Sequence, residues 1–427
     1  MPSNSISPTH PSTRREFLRH SGGAIGLLAF SQFAPQFLVQ STLAAAPAPE
    51  KDRSILVLVQ LAGGNDGLNT VVPFADPDYY RLRPTLGIPR EKALPLGDTA
   101  GLHPVCGPLR ALFDDGKVAV VQNVGYPNPN RSHFRSTEIW ETASSSGAYL
   151  STGWVGRFLD NSCAGIPADS RDPAAVHISN EVPQSFAGSG SHPTFGLVLG
   201  NRGRRESEES RRLLAGMVSP AAAASPDPLG PAAGNATFLR HTLMDALVTE
   251  NKVQRLIGAY GPGTNYPGTP FASSLRSVAA LIAAGLPTRI YFVSLGGFDT
   301  HSNQVNQHAN LLTQLSTGLA AFQRDLEHHG LDGQVTTMTF SEFGRRPAEN
   351  SSRGTDHGTA APLFVMGSRV RGGFHGAPPS LQNLARGQDI AFSTDFRQVY
   401  ATVLEHWLDC PSQEVLGGRF EPLPFLG

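Results

Sequence analysis

Short motifs with the residue types of a metal or acid–base site recur at four places in the 427-residue chain. They are Asn65-Asp66 in GGNDG, Asp299-Thr300-His301 in GGFDTH, Ser341 to Arg345 in SEFGR, and Asp356-His357-Gly358. Carboxylates and imidazoles are ligands that zinc, manganese and related divalent ions take in proteins. The four motifs together therefore predict a metal site.

Each motif also has a purely structural interpretation. Asp66 stands among Gly and Asn, which are common turn residues. Asp299 and His301 could cap the helix that THSNQ leads into. The pair Asp356-His357 needs a bent loop for both side chains to reach one cation, and Gly358 allows that bend. His375 in GGFHGAP is a further imidazole that is either a ligand or structural.

A candidate nucleophile follows a turn rich in Pro and Asn, in the string NPNRSHF. Ser132 lies there at a predicted helix start, where it is either a simple N-cap or a hydroxyl in the positive field of the helix N-terminus. A serine hydroxyl needs a base or a metal ion to become a good nucleophile. Arg131 beside it would suit phosphate or sulfate oxygens, which a guanidinium binds through two hydrogen bonds.

The sequence around these motifs predicts alternating strands and helices that would position them. Continuous apolar runs predict strands buried on both faces at Ile55 to Leu61, Val118 to Val124, Ala175 to Ser179, Arg289 to Leu295, Val335 to Phe340 and Leu363 to Met366. Helical patterns cover Phe238 to Tyr260, Ala272 to Ala284, Gln304 to His328, and Arg397 to Leu408 after a cap at Thr394 or Asp395. This alternation predicts a doubly wound α/β domain with a largely parallel central sheet and helices on both faces. Ligands bind beyond the carboxyl ends of such strands, where the polar motifs lie.

The charge composition excludes some classes of binding partner. With 34 Lys and Arg against 35 Asp and Glu, and only 16% charged residues, the chain has no broad basic field for nucleic acid or an anionic membrane. We therefore expect a small molecule or another protein as partner.

The three cysteines, Cys106, Cys163 and Cys410, lie far apart and form no metal knuckle; at most one disulfide is possible, and we do not predict one.

The N-terminus predicts export. TRREFLR places a twin arginine before a moderately apolar run from Gly22 to Val39 and the string LAAAP, which resembles a twin-arginine (Tat) signal cleaved near Ala46. A transmembrane anchor is the alternative, but the run is short and contains polar residues. We expect residues 1–46 to be the signal, the Tat machinery to be a partner, and the mature protein to be periplasmic or extracellular without a stable membrane anchor. Residues 47–427 would form one domain, with a loop insertion at 201–233.

Longer strings resemble a known family. LVLVQLAGGNDGLNTVVPF, RSHF, GGFDTHSNQ, FSEFGRRPAEN and GTDHGTAAPLFVMG are similar to the exported bacterial DUF1501 proteins, a branch of the alkaline phosphatase and sulfatase superfamily. The resemblance covers nearly all of the chain from Ser54 onward. It implies an alkaline phosphatase-like fold whose enzymes bind two metal ions. It also implies a covalent intermediate in phosphoryl or sulfuryl transfer. The ligand types favour zinc, and manganese, calcium and magnesium stay open because aspartate and histidine serve several of these ions.

The resemblance also assigns roles. Ser132 would be the nucleophile, and Arg131 or Arg345 would balance charge on the transferred group. The metal ligands it implies are Asp66, Asp356 and His357 for one ion, and Asp299, His301 and His375 for the other. The family pattern separates the aspartate and histidine of the second set by three residues, so His308 is the alternative to His301. The chain lacks the C/S-x-P-x-R motif of formylglycine sulfatases at Ser132 and at each cysteine.

Three functions stay open on these grounds. The first is an exported metal-dependent hydrolase that takes a small anionic ester of phosphate or a related oxyanion. The second is a binding or assembly protein that keeps the fold without turnover. The third is a lyase or sulfohydrolase acting on another oxyanion ester.

Overall fold

The computed structural model describes residues 53–161, 164–165, 172–179, 181–190, 194–197 and 249–427. The expected signal, residues 1–46, and the expected insertion, residues 201–233, lie outside the described residues. The described residues belong to one compact unit, Lys51–Gly427. No helix among them is both long enough and apolar enough to cross a membrane.

A nine-stranded sheet forms the centre of this unit, and a three-stranded sheet lies apart from it. The strands are, in chain order, β1 (Ile55–Ala62), β2 (Val71–Val72), β3 (Leu94–Pro95), β4 (Gly101–Leu102), β5 (Val118–Gly125), β6 (Ala175–Ile178), β7 (Thr194–Gly196), β8 (Ile290–Gly296), β9 (Val335–Phe340), β10 (Ala361–Met366), β11 (Gly373–His375) and β12 (Thr394–Asp395). The large sheet has the order β11-β5-β10-β9-β1-β8-β6-β7, with β12 also paired to β5, and the small sheet has the order β2-β4-β3. Within the large sheet, β10 is antiparallel to both neighbours, and all other pairings are parallel.

The helices that the structure describes flank this sheet. They are α1 (Gly67–Thr70), α2 (Pro77–Leu82), α3 (Gly107–Asp114), α4 (His133–Thr142), α5 (Trp154–Asp160), α6 (Pro270–Ala283), α7 (Gln304–His328), α8 (Phe396–His406) and α9 (Ser412–Leu416). Residues 249–259 are also helical. Local signals set several ends: the Thr269 side chain accepts from the Ala272 amide before α6, and Asp395 forms a capping box with Gln398 before α8.

Helices cover both faces of the sheet. Along β1, Val57 and Val59 belong to the apolar core shared with α3, α6 and α7. Leu56 and Leu58, which point the other way, belong to the core shared with α4, α5 and α8. A strand buried on both sides has no polar face, which explains its continuous apolar sequence. The predicted fold class, a doubly wound and largely parallel α/β sheet, is confirmed.

Four loops meet at one edge of the sheet. β1, β8 and β9 are parallel and end there, at Ala62, Gly296 and Phe340, and the antiparallel β10 begins there at Ala361. The polar motifs of the sequence occupy these loops.

Of the cysteines, Cys106 is a buried free thiol. Cys410 is disulfide-bonded, which the wide cysteine spacing did not predict.

Candidate metal centre

Three side chains at this edge could hold a metal ion together. His133, Asp299 and His357 each present one ligand atom, and these atoms all lie within 4.8 Å of one another. His133 is the first residue of α4, Asp299 lies on the loop after β8, and His357 lies on the loop before β10. The centre is therefore assembled from segments far apart in the chain.

The ring of His133 is held by a buried carboxylate. Its Nδ1 lies 2.8 Å from Oε1 of Glu342, and its Nε2 lies 3.5 Å from Oδ2 of Asp299. Glu342 Oε1 also accepts the amide of Gly63 at 2.8 Å. The hydrogen bond to Glu342 raises the pKa of His133, against the opposing effect of burial. We assign a proton to Nδ1 because its partner is a carboxylate, which leaves the Nε2 lone pair facing Asp299.

His357 has the same arrangement with a different partner. Its Nδ1 donates to the backbone carbonyl of Arg131 at 2.8 Å, since a carbonyl oxygen can only accept. Its Nε2 lies 3.1 Å from Oδ1 of Asp299. Burial lowers the pKa of His357, so the neutral ring is favoured. The ring of Phe343 packs against both His133 and His357, with centroid distances of 4.9 and 4.7 Å.

His301 adds a fourth group at the edge of this centre. Its Nε2 lies 3.0 Å from Oδ1 of Asp299 and 2.9 Å from Nε2 of His357. Its Nδ1 lies 3.4 Å from Oδ1 of Asp356, which also accepts the Asn350 amide at 3.0 Å. Asp356 therefore lies behind His301 and supports the ring rather than joining the centre.

These groups fit a divalent cation. Each of the three imidazoles turns Nδ1 toward an oxygen acceptor, so each Nε2 carries a lone pair toward Asp299. Lone pairs and a carboxylate that converge without a proton between them repel one another, and a bound cation removes that repulsion. Three imidazoles and a carboxylate are a zinc-type donor set, and their oxygen partners match the outer hydrogen bonds that orient histidine ligands.

Arg345 holds the carboxylate of Asp299 in place. Its Nη2 lies 2.5 Å from Oδ1 of Asp299. Partial burial raises the pKa of Asp299, but the hydrogen bonds from Arg345 and His357 and the nearby positive charges outweigh it, so the pKa falls to about 2. The Arg345 side chain is fully buried and also donates to the backbone carbonyls of four residues, Gly63, Gly64, Phe298 and Thr355. Its guanidinium therefore holds the loops of the centre together.

The structure does not bring three of the expected ligands into this cluster. Asp66 is fully buried and pairs with Arg83 at 2.6 Å. Asp356 supports His301, as described. His375, on β11, donates from Nε2 to the carbonyl of Arg371 at 2.8 Å and packs on Phe425. His308, the alternative ligand, is buried with its Nε2 3.0 Å from Oδ1 of Asn65, and burial lowers its pKa to about 4.

Ser132 directly precedes His133 of the centre in the chain. It is the exposed N-cap of α4, and its side chain makes no capping hydrogen bond. Its chain neighbours are His133 and Arg131, whose carbonyl holds His357. The Arg131 guanidinium is partly exposed and pairs with Asp389 at 3.2 Å.

Two residues of the centre were missed from the sequence. His133 stands in RSHF, where Arg131 and Ser132 were interpreted but the histidine was not, and Glu342 was noted at the strand end without a role. The signal was present in both cases: a histidine next to a candidate nucleophile, and a carboxylate directly after a buried strand. Their contact joins residues 209 positions apart, which no local pattern reveals.

Comparisons with known proteins identify one family. The model of the family described as "Protein of unknown function (DUF1501)" matches residues 117–407. No curated protein matches the sequence.

Several solved structures share part of the fold. The C-terminal periplasmic domain of EcEptC from Escherichia coli, in complex with Zn, is 11% identical, covers 75% of each chain and has a TM-score of 0.35. Ps i-CgsB, in complex with k-i-k-neocarrahexaose, is 9% identical over 87% of this chain and 73% of its own, with a TM-score of 0.38. Alkaline phosphatase from the Antarctic bacterium TAB5 is 11% identical over 74% of this chain and 93% of its own, with a TM-score of 0.27. These scores are too low to transfer an activity, and the chemistry is inferred from the residues of the centre.

Proposed function

The chain belongs to the DUF1501 family, and we propose that it is an exported, metal-dependent hydrolase of phosphate or related oxyanion esters. The observation that supports this most is the convergence of three imidazole Nε2 atoms on Asp299, with the exposed Ser132 next to His133 in the chain. A metal centre next to an exposed hydroxyl is one of the arrangements that activate a serine for ester hydrolysis.

His133, Asp299 and His357 would hold the ion, with His301 as the fourth ligand. Zinc suits this nitrogen-rich set best, and manganese is the alternative. Calcium and magnesium, which the sequence left open, prefer oxygen ligands. When bound, the ion would act as a Lewis acid that lowers the pKa of a nearby hydroxyl and offsets charge on the substrate. Two ions were expected from the resemblance; the described residues assemble one donor set.

Ser132 is the proposed nucleophile. Its Oγ would attack phosphorus, so that the Oγ–P bond forms as the bond from phosphorus to the leaving oxygen breaks, and the hydroxyl proton of Ser132 would end on the leaving oxygen, which departs as an alcohol. Water would then cleave the Oγ–P bond, and the sum of the two steps is hydrolysis of one ester bond. The position of Ser132 at the start of α4 adds the positive field of a ten-residue helix, which favours the anionic group under attack.

Arg131 would bind the anionic oxygens of the substrate. Its pairing with Asp389 is partly exposed, and exposed pairs of this kind contribute at most about 1 kcal/mol. The guanidinium can therefore exchange Asp389 for a substrate. Arg345, which we expected to balance charge on the transferred group, would act through Asp299, since its donors are taken up by the protein.

Export remains part of the proposal. The twin arginine at Arg14-Arg15 and the apolar run after it support a Tat signal and a periplasmic or extracellular mature protein.

Turnover of an aryl phosphate by purified protein, with and without added Zn²⁺ or Mn²⁺, tests the proposed function. We expect activity that a chelator removes, and a loss of at least about 100-fold in kcat for Ser132→Ala. Ser273→Ala is the matched control, because Ser273 is an exposed serine on α6 that bonds only within its own helix. Full activity in Ser132→Ala would remove that serine from the mechanism. A metal-loaded protein that turns over neither aryl phosphate nor aryl sulfate would favour the binding-protein alternative.

A further inference from the structure

Asp66 is the carboxylate that the resemblance assigns to a metal ion, but it has a permanent cation as partner. Nη1 of Arg83 lies 2.6 Å from Oδ2 of Asp66, and both side chains are completely buried. Arg83 cannot lose its proton in a protein. Burial raises the pKa of Asp66, but the charge and hydrogen bond of Arg83 outweigh it, so the carboxylate stays ionised.

The guanidinium of Arg83 is anchored by further acceptors. Nη1 also donates to Oδ1 of Asn69 at 2.7 Å, Nε to the carbonyl of Pro347 at 2.8 Å, and Nη2 to the carbonyl of Arg346 at 3.1 Å. A buried arginine with four such contacts cannot move aside for a second cation without leaving several buried acceptors unpaired, and each unpaired acceptor would cost about 1–3 kcal/mol.

The atoms that surround Asp66 are donors rather than ligands. The side-chain amide of Gln304 donates to the same Oδ2 that Arg83 contacts. Among the described residues, Oδ1 of Asp66 and Nδ2 of Asn65 have no hydrogen-bond partner. One of these atoms is an acceptor and the other is a donor, and an amide N–H cannot bind a metal ion. The imidazole of His308 already uses Nε2 on Asn65.

On the basis of the proposed metal-dependent function, we infer that the protein binds a single divalent ion, at His133, Asp299 and His357, and that Arg83 neutralises Asp66 where the family resemblance implies a second ion. Asp66 is then a positioning residue.

Gln304 carries the effect of Asp66 to the centre. Its Oε1 accepts from the hydroxyls of Thr300 at 3.0 Å and Thr355 at 2.7 Å. Thr300 lies between Asp299 and His301, and Thr355 precedes Asp356 and His357. The buried ion pair thus supports both loops that carry ligands.

Metal analysis of purified protein after loading with excess Zn²⁺ and gel filtration tests this inference without relying on activity. We expect one equivalent of zinc per chain in the wild type and in Asp66→Asn, which keeps the shape of the side chain and can still accept from Arg83. His357→Ala is the matched loss-of-site control and should retain less than about a tenth of the wild-type zinc under competition with a chelator.

Each outcome separates this inference from the proposed function. Two equivalents in the wild type would overturn the single-ion inference and leave the proposed hydrolase intact. One equivalent in the wild type, none in a folded Asp66→Asn and one in Gln304→Ala, which breaks the link from Asp66 to the ligand loops, would make Asp66 a ligand and likewise overturn it. No zinc in the wild type, and no manganese after the same loading with Mn²⁺, would remove the proposed metal-dependent function itself. The wild-type stoichiometry decides the number of ions even where Asp66→Asn fails to fold.

Discussion

Glu342 and His133 form a contact of 2.8 Å between Oε1 and Nδ1 that joins the end of β9 to the first residue of α4. The Glu342 side chain is 3% exposed, against 35% for His133, so the carboxylate lies inside the fold and the ring reaches outward from it. The contact determines which nitrogen of His133 faces Asp299.

The first prediction concerns this contact. Glu342→Ala should weaken zinc binding by about 10–100-fold, because the His133 ring loses the partner that fixes its tautomer and direction. Glu342→Gln should restore part of the affinity, since its amide oxygen can still accept from Nδ1. Competition titration with a zinc chelator measures both, and thermal unfolding of the metal-free variants separates affinity from stability. Glu421→Ala, an exposed glutamate near the C-terminus, is the control. Equal affinity in wild type and Glu342→Ala would show that Glu342 does not position the ligand.

The second prediction concerns the turn that follows β1, where Gly63 approaches the Asp299 loop. Gly63 has a φ of 117°, and a Cβ at this position would lie 2.5 Å from the backbone nitrogen of Asp299. Gly63→Ala should therefore displace the Asp299 loop, lower the free energy of unfolding by about 2–4 kcal/mol and reduce zinc affinity.

Gly116→Ala is the control for this change. Gly116 also has a positive φ, 73°, but nothing lies within 4 Å of its added Cβ. It should cost only the backbone strain, about 1–2 kcal/mol, and leave zinc affinity unchanged. Denaturant unfolding and zinc titration of the two variants give the comparison; equal effects of both on zinc affinity would argue against the close approach at Gly63.

The third prediction separates two arginines near the site. Arg131→Ala should raise KM for an aryl phosphate with little change in unfolding temperature, because its side chain is partly exposed. Arg345→Met should lower the free energy of unfolding by about 3–5 kcal/mol, since it leaves Asp299 and four backbone carbonyls without their donor. Steady-state kinetics and thermal unfolding distinguish the two roles. An Arg345→Met protein of normal stability and raised KM would place Arg345 on the substrate instead.

The fourth prediction is a pH dependence of stability away from the centre. Burial of Glu141 raises its pKa from its ordinary value of 4.5 to about 7, despite hydrogen bonds from the amides of Gln184 and Ser185. Because the pKa of Glu141 is raised in the folded state, the contribution of its protonated form to the free energy of unfolding is fully present below about pH 4.5. This contribution is lost as the pH rises through about 7. Glu141→Gln should therefore be more stable than the wild type at pH 8, by up to about 3 kcal/mol, with the difference much smaller at pH 5.

Denaturant unfolding at the two pH values measures this effect. Glu421→Gln, which removes an exposed carboxylate, should show no comparable change between pH 5 and pH 8. A Glu141→Gln protein whose stability relative to wild type is the same at both pH values would show that Glu141 does not titrate in this range.

The sequence predicted most of the sheet because burial leaves a local pattern. A strand covered on both faces is apolar at every position, as Leu56 to Val59 are, and helix ends carry side chains such as Asp395 that satisfy free amides. The antiparallel direction of β10 was not predicted, because an apolar run reads the same in either direction.

The site was predicted less completely for a physical reason. Asp299, His301 and His357 were identified from short motifs, and the structure brings them together. His133 and Arg83 matter through contacts with distant residues, and a charged side chain that is fully buried, like Arg83, is rare enough that sequence reasoning places it at the surface.

The most direct measurement of the central claim is a crystal structure of the zinc-loaded protein with anomalous diffraction data collected at the zinc edge. We predict a single anomalous peak per chain, within about 2.0–2.2 Å of Nε2 of His133, Nε2 of His357 and a carboxylate oxygen of Asp299. A peak bound by Asp66 or His375, or a zinc-loaded crystal with no peak at His133, would contradict the account.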